Sequence, residues 1–275
     1  ICISEFLKKF NEIIHADYPG ILTFAEESTS WPMVSRPTYL GGLGFDLKWN
    51  MGWMHDSLGY VQQQSVHRKF HHSEMTFSLM YSFSENFVLP FSHDEVVHGK
   101  GSLSSRMPGD RWQQLANLRA YLAFMWAHPG KKLLFMGSEF AQSSEWSSER
   151  GLDWDALAST EHQGILNVVT DLNHLYANNR ALWERDCDPR GFEWIDGEAA
   201  DTSIFSWIRW SDHDECVAFI ANFSPEVRYD FPFALPRPGK WTEVLNTDST
   251  HYGGSGVGNL GQVLAQPQQW SGKPA

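Results

Sequence analysis

The order of apolar strands and helical segments constrains the fold of this 275-residue chain more than any other feature. Four short apolar runs predict buried strands, and segments with helical spacing of apolar residues alternate with them. Elements that alternate in this way form parallel sheets covered on both faces. The predicted strands cover residues 21–25, 44–49, 87–91 and 132–136, and the predicted helices 5–17, 51–62, 74–84, 112–126 and 165–176. We therefore predict an α/β unit over residues 1–188.

The pattern changes near Asp188-Pro189-Arg190-Gly191. Beyond this point, short stretches at 203–210, 216–223 and 241–245 alternate between apolar and polar residues, and Asp, Pro and Gly turns separate them. This alternation is typical of antiparallel strands that bury one face. We therefore predict a second domain over residues 189–275, an antiparallel β-sandwich.

Charge and cysteine usage exclude several classes of function. The chain has 33 Asp and Glu against 21 Lys and Arg, a net charge of −12 with neutral histidines, which argues against nucleic acid or an anionic membrane as the partner. No apolar run approaches the ~20 residues of a membrane helix, and the first residues lack a signal-peptide pattern. Cys2, Cys187 and Cys216 are far apart, which suits a reducing compartment. We expect a cytoplasmic protein.

Acidic residues follow three of the predicted strands. Glu26, Asp94 and Glu139 stand at strand ends, where functional side chains gather in parallel α/β proteins. Acids at such positions also cap helices. Glycoside chemistry requires one protonated carboxyl that donates to the leaving oxygen and ionised carboxylates that stabilise an oxocarbenium-like centre. The residues alone leave both interpretations open.

Other site motifs are missing from the sequence. His93 and His98 are five positions apart and do not match the HExxH spacing of a zinc site. The Gly-rich run at 253–256 lacks the spacing of a serine-hydrolase nucleophile elbow, and there is no P-loop or strand-linked GxGxxG. We therefore expect no metal site. The 13 tryptophans are interpreted mainly as packing residues, with a few rings that face sugar.

Several long motifs resemble the 1,4-α-glucan (glycogen) branching enzymes of the α-amylase clan. They run in the same order over essentially the whole chain, and their length makes a chance match implausible. The motifs are Ala25-Glu26-Glu27-Ser28-Thr29, Lys48-Trp49-Asn50-Met51-Gly52-Trp53-Met54, Phe91-Ser92-His93-Asp94-Glu95-Val96-Val97-His98-Gly99-Lys100, Phe135-Met136-Gly137-Ser138-Glu139-Phe140 and Asn246-Thr247-Asp248-Ser249.

The resemblance implies a (β/α)8 barrel followed by a β-sandwich, with this chain matching barrel strands 5–8. It also implies retaining transglycosylation that cleaves an α-1,4-glucan and forms α-1,6 branches, a reaction that needs no cofactor. Glu26 matches the general acid/base and Asp94 the transition-state-stabilising carboxylate, while His93 matches a residue that hydrogen-bonds substrate hydroxyls. Burial among other carboxylates would favour the protonated Glu26 that the acid role needs. We expect three further substrate-binding residues, namely Glu95, Glu139 and Trp146.

The family's nucleophile, an aspartate at the end of barrel strand 4, has no match in this chain, and neither does the arginine that precedes it. The family's earlier histidine motif is missing too, and the last strands of the β domain should follow residue 275. The resemblance therefore implies a fragment or an incomplete gene model that is inactive alone. Half a barrel has open strand edges and an exposed inner face, so we expect aggregation or a molten state. A complementary N-terminal half, or a second copy of the chain, would close the barrel.

Two alternative functions stay open. Another hydrolase of the clan, trehalose-releasing or debranching, would share the scattered acids, although not the long motifs at 48–54 and 91–100. A non-catalytic glucan-binding module is an alternative from a different class, and the missing nucleophile favours it.

Overall fold

In a computed structural model, which describes residues 2–268 and 273, four parallel strands and five α-helices form the first unit. The strands are β1 (Phe24–Ala25), β2 (Leu47–Trp49), β3 (Phe87–Phe91) and β4 (Lys131–Leu134). The helices are α1 (Ile3–Asp17), α2 (Met51–Gln62), α3 (His72–Thr76), α4 (Arg111–Ala127) and α5 (Thr160–Asn178).

The order of the strands in this sheet is their order in the sequence, β1-β2-β3-β4, and every neighbouring pair is parallel. This confirms the predicted parallel α/β unit. The first strand is shorter than predicted, because only Phe24 and Ala25 pair with β2, while Ile21 and Leu22 are exposed. β3 is buried along its whole length, as expected for a strand with neighbours on both sides.

Capping residues explain where the long helices begin. Asp110 accepts a hydrogen bond from the Gln113 amide at 2.9 Å, and the Gln113 side chain accepts one from the Asp110 amide, which is a capping box. Ser159 caps α5 in a similar way. Among residues 2–268 and 273, none of the helices combines the length and apolar character that a bilayer span requires.

The predicted helix at 74–84 differs from the structure. Here α3 passes into a 3-10 helix over Phe77–Met80 and then into turns. Two buried serines bond to neighbouring groups in this segment, since Ser82 donates to the Ser78 carbonyl and the Ser78 hydroxyl contacts His128. Serine side chains that bond locally compete with the regular helical pattern.

Antiparallel sheets form the second unit. In one, β6 (Ile204–Trp210) lies between β5 (Phe192–Asp196) and β7 (Cys216–Asn222). In the other, β8 (Gly239–Thr242) pairs with β9 (Gln262–Ala265). The antiparallel pairing of the strands is confirmed, although β5 and β9 were not among the predicted strands. The sandwich and the bounds 189–275 stay predictions. The predicted end of this domain lies partly outside the described residues.

The larger hydrophobic core runs from the first unit into the second. Phe124 of α4 packs edge-to-face against Phe205 and Trp207 of β6, with ring centroids 5.9 and 5.2 Å apart. Hydrogen bonds cross the same boundary, because Trp207 and Arg209 both donate to the carbonyl of Ala127, the last residue of α4, at 3.1 and 3.0 Å. The two units are therefore packed as one body.

A buried ionic cluster lies at this boundary. The Asp186 carboxylate, 2% exposed, accepts from the Arg209 guanidinium at 2.8 Å, from the Lys131 ammonium at 3.0 Å and from the Tyr176 hydroxyl at 2.7 Å. Burial opposes the charged form, but Lys132, Arg209 and Lys131 together lower the pKa of Asp186. Asp186 is thus held as a carboxylate in the interior.

A neutral histidine is buried beside this cluster. His128 donates from Nδ1 to the Pro129 carbonyl at 2.8 Å, and its Nε2 lies 3.1 Å from the Ser78 hydroxyl. Burial lowers its pKa from 6.5 to about 3, and the positive charges of Lys132 and Arg209 act in the same direction.

We expect the buried His128 to make the protein acid-sensitive. The unfolded chain takes up a proton near pH 6.5, whereas the folded protein does so only near pH 3. Stability should therefore fall as the pH falls between these values, by about 1.4 kcal/mol per pH unit. Urea unfolding of wild type and His128→Gln at pH 7 and pH 5 checks this. The variant should lose less stability between the two values, and equal losses would contradict the expectation.

Candidate active site

The carboxyl edge of the parallel sheet carries the predicted catalytic acids. Glu26 follows the last residue of β1, and Ser92-His93-Asp94 follows β3. Because all four strands are parallel, these ends lie at the same edge of the sheet. The strands are staggered, because Ala25 pairs with Lys48 and Lys48 pairs with Phe87. The end of β1 is therefore level with the first residue of β3, and β3 continues to Phe91 before His93 and Asp94 follow.

A hydrogen-bonded turn presents His93 and Asp94. The Glu95 carboxylate accepts from the Ser92 amide at 2.6 Å and from the Ser92 hydroxyl at 2.9 Å, and Ser92 in turn accepts from the Asp94 amide. The side chains of His93 and Asp94 remain 50% and 43% exposed, with 3.3 Å between His93 Nε2 and Asp94 Oδ1. The turn therefore holds an imidazole and a carboxylate side by side at the surface of the edge.

The structure gives Glu95 a different position from the one we expected. Glu95 is 4% exposed, and its carboxylate is occupied by Ser92 beneath the turn. The Arg106 guanidinium donates to the Glu95 backbone carbonyl. A carboxylate in this position supports the turn, so the expected contact with substrate has no geometric support.

Glu26 and Glu27 have contrasting surroundings. Glu26 is exposed directly after the buried Ala25, so the burial that we expected to keep it protonated is not seen in the described part of the chain. Glu27 accepts from the Lys48 ammonium at 2.8 Å and from the Thr29 amide at 2.8 Å. Burial opposes ionisation of Glu27, yet these hydrogen bonds outweigh it and lower the pKa.

The loop after β4 lies against the turn after β3. The Trp146 ring packs edge-to-face on Phe135 at 5.3 Å, and Phe135 lies 6.0 Å from the His93 ring. The Trp146 amide donates to the Val96 carbonyl at 3.0 Å. Trp146 is thus half-buried beside His93, while Glu139, also half-buried, lies in the short 3-10 helix that follows β4.

Two residues at this edge were not predicted as site residues. Lys48 is 6% exposed in the middle of β2, and its ammonium reaches the loop after Glu26. The sequence signal that could have identified Lys48 is a charged residue between Leu47 and Trp49 in an apolar strand. Trp31 lies on the same loop and is 52% exposed, which leaves its ring open to a flat ligand. Within the described part of the chain, no three histidine, cysteine or acidic residues form a group that could hold a metal ion.

The second unit matches a known domain family. Residues 194–275 fit the model described as the alpha amylase C-terminal all-beta domain. This agrees with the antiparallel sheets found there.

Two solved structures resemble the fold. A crystal structure of a Nostoc punctiforme debranching enzyme soaked with acarbose aligns with 79% of this chain and 44% of its own, with a TM-score of 0.54 and 15% identity. A cyclomaltodextrinase aligns with 79% of this chain and 34% of its own, also with a TM-score of 0.54, at 17% identity. At these identities the likeness concerns the fold alone.

Curated relatives match almost the whole chain at much higher identity. The 1,4-alpha-glucan branching enzyme GlgB of Rhodopseudomonas palustris is 56% identical over 263 residues, which is 95% of this chain and 37% of the relative. GlgB of Aquifex aeolicus is 54% identical over 270 residues, 98% of this chain and 43% of the relative. The chain spans about two fifths of the length of these relatives. It belongs to the 1,4-α-glucan branching enzyme family.

Proposed function

We propose that this chain carries the general acid/base and the transition-state-stabilising carboxylate of a 1,4-α-glucan branching enzyme. The observation that supports this best is the joint position of Glu26 and Asp94. Both follow the carboxyl ends of parallel strands in one sheet, in a chain that is more than half identical to branching enzymes. The substrate is then an α-1,4-glucan, and the product carries α-1,6 branches.

In the proposed reaction, Glu26 donates its proton to the oxygen of the scissile α-1,4 bond as that bond breaks. A carboxylate nucleophile, which this chain does not contribute, forms the glycosyl intermediate. Glu26, now ionised, removes the proton from the 6-hydroxyl of the acceptor chain, which attacks the intermediate and restores the α configuration. The exposed Asp94 carboxylate stabilises the positive charge that develops in both steps.

The neighbouring residues have supporting roles in this proposal. His93, held 3.3 Å from Asp94, donates a hydrogen bond to a substrate hydroxyl. Trp146 and Glu139 form a wall of the cleft on the β4 side, with Trp146 fixed by Phe135. Glu95 acts through the turn that it supports and does not contact the glucan.

For the complete fold, we propose that the four parallel strands are strands 5–8 of a (β/α)8 barrel. The outer edges of β1 and β4 lack partners in the described part of the chain, which suits a barrel that another segment completes. The exposed face of α1 is apolar at Ile3, Phe6 and Phe10. We propose a complementary N-terminal half as the partner that covers this face and supplies the nucleophile. The cytoplasm, where glucan stores and reduced thiols occur together, is the proposed location.

The test compares this chain alone with the same chain joined to the amino-terminal part of the Rhodopseudomonas palustris relative, called here the joined enzyme. With amylose as substrate, the joined enzyme should shift the iodine stain and yield short chains after debranching. The chain alone should do neither, because the nucleophile is missing. Branching by the chain alone would contradict the proposed half-barrel, and a folded joined enzyme without branching would contradict the proposed function.

A non-catalytic glucan-binding module is the second candidate. Binding of the chain alone to immobilised glycogen separates the two functions. The Glu26→Gln variant should leave the affinity of a binding module unchanged. In a catalytic cleft the same change removes a hydrogen-bonding carboxylate from the ligand contact surface, so the affinity should change.

A further inference from the structure

The side chain of Lys48 connects the centre of the sheet to the loop that begins at Glu26. β2 pairs with strands on both sides, and Lys48 stands opposite Ala25 on one side and Phe87 on the other. Its side chain is 7% exposed. The base of this side chain is therefore fixed in a rigid part of the molecule, and only the ammonium faces the loop.

All three ammonium hydrogens of Lys48 can be used within this one loop. Nζ lies 2.8 Å from Glu27 Oε2, 3.1 Å from the Thr29 carbonyl and 3.4 Å from the Trp31 carbonyl. Glu27 closes the loop with its other oxygen, which accepts from the Thr29 amide at 2.8 Å. One buried cation thus binds alternate residues of a segment that has no regular secondary structure.

Glu26 is held from both sides by this arrangement. Its preceding residue, Ala25, is paired with Lys48 in the sheet, and its following residue, Glu27, is bonded to the Lys48 ammonium. The side chain of Glu26 itself stays exposed. The backbone on either side of Glu26 is therefore restrained, while its carboxyl group remains free to meet a ligand.

We propose that Lys48 is the positioning residue for the general acid, and that it holds Glu26 and the exposed Trp31 ring in fixed places on one loop. This rests on the proposed function of Glu26. Lys48 does not touch the glucan, because its ammonium is fully occupied by the loop. A shift of about 1 Å in a catalytic group lowers turnover by as much as ~100-fold, so such a restraint has a large effect on rate.

The first arm of the test is hydrogen–deuterium exchange of the joined enzyme, which does not depend on branching. The Lys48→Met variant should exchange faster over residues 26–32, because the ammonium no longer ties Glu27 and the Thr29 and Trp31 carbonyls to the sheet. Exchange over residues 92–97 should stay as in the wild type. Lys240→Met is the matched control, since Lys240 is exposed on β8 in the second unit.

The second arm measures branching kinetics of the same proteins. Lys48→Met should lower kcat by ~100-fold with KM for amylose within about threefold, since a positioning residue affects the transition state more than binding. Glu27→Gln, which keeps the shape of the partner, should lower kcat in the same direction even if Lys48→Met folds poorly. The double variant should be no worse than Lys48→Met alone, because the two residues act as one unit.

Unchanged exchange at 26–32 together with kcat within twofold of wild type would overturn the proposal. A rise in KM with an unchanged kcat would overturn it as well, since it would make Lys48 a binding residue. If the wild-type joined enzyme does not branch, the proposed function fails, and the exchange arm still reports whether Lys48 restrains the loop.

Discussion

Replacing Asp94 with Asn in the joined enzyme is expected to lower branching activity by about 10³-fold. The exposed carboxylate lies beside His93 at the carboxyl edge of the sheet, where it can face the positive charge of the transition state. An amide of the same size keeps the hydrogen bonds and loses the charge. Glu26→Gln is expected to reduce activity at least as strongly, because it removes the proton donor that the leaving oxygen requires. The rate of branch formation on amylose measures both effects.

Controls separate the chemistry from the fold in this experiment. Both variants should unfold at the temperature of the wild type, because Glu26 is exposed, Asp94 is half-buried, and both carry little of the packing. Asp201→Asn, at an exposed position in the second unit, should leave the rate unchanged. A tenfold or smaller loss in Asp94→Asn would contradict the assigned role of Asp94.

The largest effect on stability is expected at Arg209. Its guanidinium is fully buried and donates to Asp186 at 2.8 Å, to the Gly191 carbonyl at 3.1 Å and to the Ala127 carbonyl at 3.0 Å. Arg209→Met removes one of the positive charges that stabilise the buried Asp186 carboxylate. It should lower the free energy of unfolding by about 3–5 kcal/mol. Urea unfolding of the joined enzyme measures this change.

The matched control is Arg237→Met. Arg237 pairs with Asp214 at the same distance of 2.8 Å, but both side chains are largely exposed. Arg237→Met should lower the free energy of unfolding by less than about 1 kcal/mol, because exposed ion pairs contribute little to stability. The double variant Asp186→Leu with Arg209→Met should recover only part of the lost stability, since Lys131 and Lys132 then lack the carboxylate that faces them. Equal losses of unfolding free energy in Arg209→Met and Arg237→Met would show that the burial of an ion pair does not determine how much it stabilises the fold.

The regular elements with strong periodicity were predictable from the sequence. The helix at 51–62 is found at those bounds, and the predicted 112–126 lies within α4. β5 and β9 were not predicted. In each of these strands all residues are exposed or half-buried, so the sequence shows no clear apolar run. The predicted strand at 21–25 is reduced to two residues since its outer edge has no partner to extend the ladder in the described part of the chain.

The site shows the same division between local and long-range information. The positions of Glu26 and Asp94 at strand ends follow from local sequence, and the membership in the branching enzyme family is confirmed by the relatives. The function of Glu95 depends on the direction of a turn, and that of Lys48 on a contact 21 positions away in the sequence. Neither contact leaves a periodic signal. The charge of Lys48 within an apolar strand marks this residue, but it does not identify the partners of the ammonium.

The shared carbonyl of Ala127 has a consequence for domain exchange. A helix normally leaves its last carbonyls to water or to a capping residue, but here Trp207 and Arg209 of the second unit bond to this one. A β domain transplanted from a distant amylase would have to bring both donors to the same point. Without them, α4 would end in an unsatisfied buried group, so the two units are expected to be inherited together and to resist recombination at residue 188.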